Sequence, residues 1–477
     1  MMRLIVPSVA ALALAGCMVG PDYRSPAPQA PSQAPFVSSA SPAFTQDQPP
    51  GRWWSLFNDP VLDRLVEQAL AKNTDLRVAA ANLRRARAVL RETRSGLFPS
   101  ADLNASAKYT RTSGDQLGFQ GAGSEGESYD VGIDASYQVD LFGRIRRAIQ
   151  ASRADAEAAQ AAFDLSRITV AAETARAYAD ACSAGRQLAV ARETLRIQEE
   201  TFDLTRRLME GGRGTALETG QAGALLERVR AAVPTLESQR QTALFRLSVL
   251  TGRPPAEFPR EVASCETPPA LAKPIPVGDG AALLARRPDV RQAERELAAA
   301  TARVGVAVAS LYPSITLGGS VGSSATSLSG LGSSDSFRFS VGPLISFSLT
   351  NLVVGRTRVV QEEASAEGAL AKFEGAWLKA LEETESALTR YARELDRREA
   401  LRRGRTQAAE AARIARLRYQ AGRDSFQVVL DAERSLADSD AALAQSEAQL
   451  SDNLVSLFLA LGGGWQEPSA LEPKTRP

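Results

Sequence analysis

Cys17 ends the run Leu14-Ala15-Gly16-Cys17, in which small residues that suit a narrow peptidase cleft lead to a thiol that can be alkylated. Before it come Met1, Met2 and Arg3, then an apolar stretch from Leu4 to Ala15. A positive start, a short apolar core and small residues at its end make residues 1–16 an export signal. About a dozen apolar residues fall well short of the roughly 20 that a membrane-spanning helix needs. The pattern matches a bacterial lipobox, where the sulfur receives a diacylglycerol and cleavage leaves the cysteine as the new N-terminus. Cys17 is therefore expected to carry a covalent N-terminal lipid, and no other cofactor is expected. Met18 follows it rather than Asp, which favours sorting to an outer membrane.

Other chemistries are poorly supplied. The chain of 477 residues contains no histidine, the commonest general base and metal ligand. Beyond Cys17 only Cys182 and Cys265 remain, with no zinc-like spacing. A disulfide between them is chemically open in an oxidising compartment, but nothing in the sequence predicts one. No Gly-Lys-Ser/Thr phosphate loop occurs. The formal net charge is +1, which gives no electrostatic reason to bind nucleic acid. The expectation is a protein that is not an enzyme and holds no metal.

One charged constellation stands out. Asp431 has Arg434 three residues on, just past a glycine-containing turn at Gly422. Such a pair on a helix surface is worth only about 0.2–0.5 kcal/mol. In a symmetric oligomer, the same Asp facing the axis would make a ring of carboxylates that favours cations. It could then lock by pairing with a neighbour's Arg.

The elements that would position these residues are written twice. Residues 73–100 align without a gap to residues 287–314, with Asp75 on Asp289, Leu83 on Leu297 and Phe98-Pro99-Ser100 on Tyr312-Pro313-Ser314. Further on, Gly143-Arg144 matches Gly355-Arg356, and Gly212-Arg213-Gly214-Thr215 matches Gly422-Arg423-Asp424-Ser425. This gives a lipidated, proline-rich arm over 17–60, a first repeat over 61–270, a second over 271–464 and a tail over 465–477. Each repeat predicts a helix ending near Pro99 or Pro313, two strands, then a very long helix from about 144 to 210 or 356 to 420. At 1.5 Å per residue the long helices span about 100 Å. A glycine tip turns each into a return helix, the first containing Pro234. Helices this long suit a coiled coil or a tube wall.

The strand stretches are expected at about 101–112, 128–141, 314–326 and 336–349, flanking Gly/Ser loops. Alternation is visible in Tyr129, Val131, Ile133, Ala135, Tyr137, Val139 and Leu141, and in Phe337, Phe339, Val341 and Ile345. Strands of this length cross a bilayer when tilted. A sheet in lipid cannot keep open edges, and single-chain bacterial barrels start at about eight strands. Four strands therefore have to close with copies of the chain; counting alone allows two, three or four.

The chain resembles the outer membrane factor channels of bacterial tripartite efflux, which are TolC-like, and within them the NodT lipoprotein branch. The resemblance rests on Cys17-Met18-Val19-Gly20-Pro21-Asp22-Tyr23, Trp53-Trp54, Phe57-Asn58-Asp59-Pro60 and Asp140-Leu141-Phe142-Gly143-Arg144. Leu430-Asp431-Ala432-Glu433-Arg434-Ser435-Leu436 and Leu461-Gly462-Gly463-Gly464-Trp465 complete it, all in order on the duplicated frame. It implies a mainly α fold with a membrane β-barrel: a homotrimer with a shared twelve-stranded barrel and a long α-helical tunnel. It implies an outer-membrane location in a Gram-negative bacterium, extending into the periplasm. The partners it implies are outer-membrane lipid, a periplasmic adaptor and an inner-membrane resistance-nodulation-division pump. The family's gate Asp and Arg fall on Asp431 and Arg434, and its apolar ring residue falls on Gln427, which is polar here. Adaptor-contacting tips fall on Gly212, Thr215, Gly422 and Ser425. Trp53 and Trp54 read either as a docking anchor or as core. The expected function is a passive exit duct for drugs or other small toxic compounds. The alternatives are a duct for type I protein secretion and a non-conducting coiled-coil lipoprotein.

Overall fold

The computed structural model describes residues 18–26, 34–111, 125–271, 273–347 and 351–463. The signal peptide, Cys17, most of the first Gly/Ser loop, Gly464-Trp465 and the tail lie outside the described residues. In chain order the principal elements are α1 (Pro60–Lys72), α2 (Thr74–Ser95), β1 (Ser100–Arg111), β2 (Glu125–Val139), α3 (Arg144–Glu210) and α4 (Ala216–Leu250). Then come α5 (Gly280–Arg286), α6 (Pro288–Ala309), β3 (Ser314–Ala325), β4 (Phe337–Ser346), α7 (Asn351–Gln420) and α8 (Phe426–Ala460). All four expected strands form, with ends shifted by a few residues, and the first long helix has the expected bounds. The second long helix starts at Asn351, earlier than expected.

The helix expected before each strand pair is in fact two helices. Asn73 ends α1 and starts α2: its Oδ1 accepts from the Asp75 and Leu76 amides at 2.9 and 3.1 Å. Pro288 imposes the corresponding break, because it cannot donate to a continuing helix and suits a first-turn position.

The residues fall into two compact units. One comprises residues 1–26, 82–159 and 292–374 and contains a four-stranded antiparallel sheet in the order β1-β2-β3-β4. Its central ladder joins β2 of the first repeat to β3 of the second. The sheet cannot form from either repeat alone.

The other unit comprises residues 27–81, 160–291 and 375–477 and holds the larger core. Trp53 is fully buried and stacks on Phe458 at 4.7 Å, so the tryptophan pair is core rather than an exposed anchor. Around it lie Leu62, Val66, Leu247, Leu283, Leu388, Leu454 and many alanines of α3, whose small side chains allow close helix approach. Part of the proline-rich arm is fixed here: Phe44–Thr45 pairs in parallel with Ile275–Pro276, and Phe36 is buried. A stretch too rich in proline to build its own core borrows one.

Cys182 and Cys265 form a disulfide, with Cα atoms 4.8 Å apart. The sequence alone left this pairing open. The segment after α4 folds back onto α3, and Gly185 makes the room: a Cβ there would lie 2.0 Å from the Cys265 carbonyl oxygen. Two cysteines separated by 83 positions reveal no such proximity in the sequence.

Candidate functional site

Strand alternation sorts the sheet into two chemically opposite faces. The register places Leu103 opposite Ile133, Ile133 opposite Val321 and Val321 opposite Phe339, so one row of apolar side chains crosses all four strands. Tyr137, Leu317, Val341 and Ile345 lie on the same face, and these side chains are exposed or half-buried. The opposite face carries Asp102, Asn104, Lys108, Asp130, Asp134, Ser320, Arg338 and Ser340. There Asn104 donates to Asp134 at 2.6 Å, the hydroxyls of Ser320 and Ser340 share a 2.8 Å hydrogen bond, and Arg338 pairs with Asp130 at 3.6 Å. A sheet packed on a protein core would bury its apolar face; this one leaves it bare. The outer edges of β1 and β4 have no ladder partner among the described residues.

The first described residues of the arm are fastened beside this sheet. The Val19 amide donates to the Phe142 carbonyl at 3.3 Å, just past the end of β2. The buried Arg147 donates to the Val19 and Gly20 carbonyls at 3.1 and 3.0 Å and pairs with Asp22 at 2.9 Å. Two backbones meet at Gly20 and Gly305: a Cβ on Gly20 would lie 2.6 Å from the Gly305 Cα. Tyr23 donates its hydroxyl to Glu294, with the Arg295 guanidinium over its ring. Burial, then the hydrogen bond that the phenol donates to the Glu294 carboxylate, push the Tyr23 phenol up to about 12.

The two tips, in the other unit, show the duplication at atomic level. After α3, Gly212 adopts φ 68° and the Arg213 amide donates to the Leu208 carbonyl at 2.8 Å. After α7, Gly422 adopts φ 67° and the Arg423 amide donates to the Arg418 carbonyl at 2.9 Å. Only glycine takes this conformation without a Cβ penalty, which is why both tips carry it. The caps then diverge. Thr215 and Glu218 close a reciprocal capping box on α4. Ser425 makes no side-chain cap; instead Arg418 grips Asp424 at 2.7 and 2.9 Å.

On α8 the gate candidates form one short chain of contacts. Gln427 Nε2 donates to both Asp431 oxygens at 3.1 and 3.2 Å, and Arg434 Nη1 lies 3.9 Å from Asp431. The Asp431 side chain is 56% exposed, so it is accessible to a neighbour. Arg434 Nε is buried without a hydrogen-bond partner among the described residues. Gln427 thus acts as a holder of Asp431.

Sequence reading missed Glu433. It is only 2% exposed, accepts from the Thr201 hydroxyl of α3 at 3.2 Å and lies 3.7 Å from the Arg416 guanidinium of α7. Burial holds its carboxyl above the usual range, against the pull of Arg416. The signal was present: Phe426, Val429 and Leu430 mark the buried stripe of α8, and Glu433 is its next position.

Among the described residues no cluster of three metal-ligating side chains occurs. No described helix is long and apolar enough to cross a membrane. Among the described residues, the bare apolar sheet face remains the membrane-competent surface.

Comparison with known proteins agrees with this geometry. The family model described as "Outer membrane efflux protein" matches residues 65–253 and 281–463. The outer membrane protein OprJ of Pseudomonas aeruginosa is 35% identical over 97% of this chain and 96% of its own length. The probable outer membrane lipoprotein SilC of Salmonella typhimurium is 30% identical over 95% of this chain and 97% of its own. Among solved structures, the outer-membrane channel OprN superposes with a TM-score of 0.90 at 39% identity, over 94% of this chain and all of that one.

Proposed function

The chain belongs to the outer membrane efflux protein family and is an outer-membrane efflux channel, and from that premise we propose that three copies close one twelve-stranded barrel. The duct is passive: it opens a path for cargo driven by another machine. The observation that carries the assembly is the sheet with a bare apolar face and two unpaired edges. In hydrocarbon each unpaired backbone group costs several kcal/mol, so the edges of β1 and β4 must pair, and each chain supplies four strands. Two, three or four copies satisfy the strand count; resemblance to the TolC-like channels selects three.

The cargo is small toxic molecules, delivered by a periplasmic adaptor and an inner-membrane resistance-nodulation-division pump. Export of secreted protein is the competing reading, and the lipobox favours the first. The chain has no catalytic role of its own. Cys17 carries the lipid; the fastening of the arm at Val19, next to the end of β2, supports this reading. SilC, a relative described as a probable lipoprotein, supports this. The adaptor docks on the tips around Gly212, Thr215, Gly422 and Ser425. Asp431 and Arg434 close the duct, with Gln427 orienting Asp431.

The test uses the full-length processed protein. Light scattering in mild detergent is expected to give three chains, and planar bilayers are expected to show discrete conductance steps. A monomer, or a trimer that never conducts, overturns the reading. Asp431→Ala and Arg434→Ala are each expected to lengthen open times; unchanged closure in both removes them from the gate.

A further inference from the structure

Among the described residues, the sheet-bearing unit leaves two helix faces without partners, at opposite ends of the strand order. We propose that they meet in the assembly: an acidic, small-residue face of α7 packs against a basic face of α2 from a second copy. The pairing is sealed by Glu367 with Arg85, and Glu363 with Arg91.

The α7 face runs through Val353, Thr357, Val360, Ala364, Gly368 and Ala371, which recur at helical spacing and are all exposed. A Cβ on Gly368 would meet nothing within 4 Å. Glycine inside a helix costs roughly 0.5–1 kcal/mol relative to alanine, so an open glycine there needs a close neighbour to explain it. Glu363 and Glu367 flank the stripe and are exposed. At the other end of the sheet, α2 exposes Arg84, Arg85, Ala88, Val89 and Arg91. Among the described residues, none of Glu363, Glu367, Arg84, Arg85 and Arg91 has an ion-pair partner within its own chain.

The internal duplication supplies a template for the contact. Where the first repeat meets the second, α3 packs on α6 through Arg303 with Asp155 at 2.6 Å and Arg295 with Glu157 at 3.0 Å. Alanines fill the space between: Ala154 clusters with Ala298 and Ala299. The repeat register that sets Gly355 on Gly143 puts Glu367 at the position of Asp155, keeping the carboxylate. The register that sets Asp75 on Asp289 puts Val89 at Arg303 and Arg84-Arg85 at Ala298-Ala299. The acid is kept, and its cation moves one turn along the facing antiparallel helix, to Arg85. Arginine stems need more room than alanine, and Gly368 and Ala364 provide it. The unpaired edges are those of β1, which follows α2, and β4, which precedes α7. Pairing those edges between copies therefore brings these same two helices together.

This inference rests on the homotrimer proposed above, and the experiment separates the two. In the full-length protein in isolated outer membranes, Val89→Cys with Gly368→Cys is treated with a short bismaleimide. Cross-linked dimer and trimer bands are expected, with none from either single variant. In parallel, Glu367→Arg and Arg85→Glu are each expected to lower the trimer fraction roughly tenfold at fixed concentration, and the double swap to restore it. A trimer by light scattering that does not cross-link overturns this seam and leaves the trimer standing. Cross-linking with no effect of either reversal overturns the ion pairs. A monomer that does not cross-link overturns both.

Discussion

Val341 and Ser340 are neighbours in the middle of β4 and point to opposite faces of the sheet. Val341 is 85% exposed on the apolar face, opposite Gly319; Ser340 lies on the polar face, bonded to Ser320. Replacing each by arginine adds the same charge and nearly the same volume one residue apart, so any difference reports the environment alone. On a lipid-facing strand near the bilayer midplane, arginine costs about 2–4 kcal/mol. With three copies, Val341→Arg should destabilise the barrel by about 6–12 kcal/mol. Ser340→Arg loses one exposed hydroxyl hydrogen bond, about 1 kcal/mol per copy at most, and gains a hydrated charge. Urea titration of the protein refolded into lipid vesicles measures both. Val341→Arg is expected to lower the midpoint sharply or prevent insertion, with Ser340→Arg close to wild type. Equal damage from both, or the reverse order, would refute the assignment of faces and the membrane reading with it.

Three further outcomes follow from contacts described above. The Glu433 carboxyl is held above its ordinary range in the fold, so between those values the native state binds more protons than the unfolded chain. Its contribution to stability is therefore full below the ordinary carboxylate range and lost as pH rises through the raised value. Glu433→Gln should flatten that slope, read from thermal unfolding by circular dichroism across mildly acid to neutral pH. Gly20→Ala should push the arm off Gly305, since the added Cβ would meet backbone, and limited proteolysis should then cut the arm ahead of the core. Cys182→Ser should lose up to about 4–5 kcal/mol, the loop-closure figure for a bridge spanning 83 residues, measured by denaturant unfolding without reductant.

Strand identity and face were legible in the sequence because period-two alternation is a local signal: Tyr129 to Val139 and Phe337 to Ile345 announce their side of the sheet residue by residue. The long helices were legible for a similar reason, and their glycine tips because φ near +68° selects one residue type. What stayed hidden depends on chain segments far apart. The Cys182–Cys265 bond, the Asn73 cap that splits a helix and the grip of Arg147 on the arm each join residues whose proximity no short window encodes. Glu433 is intermediate. Its burial could be read from the stripe on α8, but its partners Thr201 and Arg416 could not.

The ladder between β2 and β3 fuses two copies of one unit, and with that a counting rule changes. A ring assembled from single repeats would need six identical pieces, each forced to present the same tip and the same charges. Joining them in pairs keeps the six-part architecture but lets alternate positions differ. The capping box at one tip and the Arg418–Asp424 clasp at the other show this freedom in use, as does a carboxylate at 431 where its counterpart is Gln221. Around the axis of the proposed trimer, six equivalent acids would repel strongly; three, interleaved with neutral amides, would halve the number of charges and leave gaps for a cation.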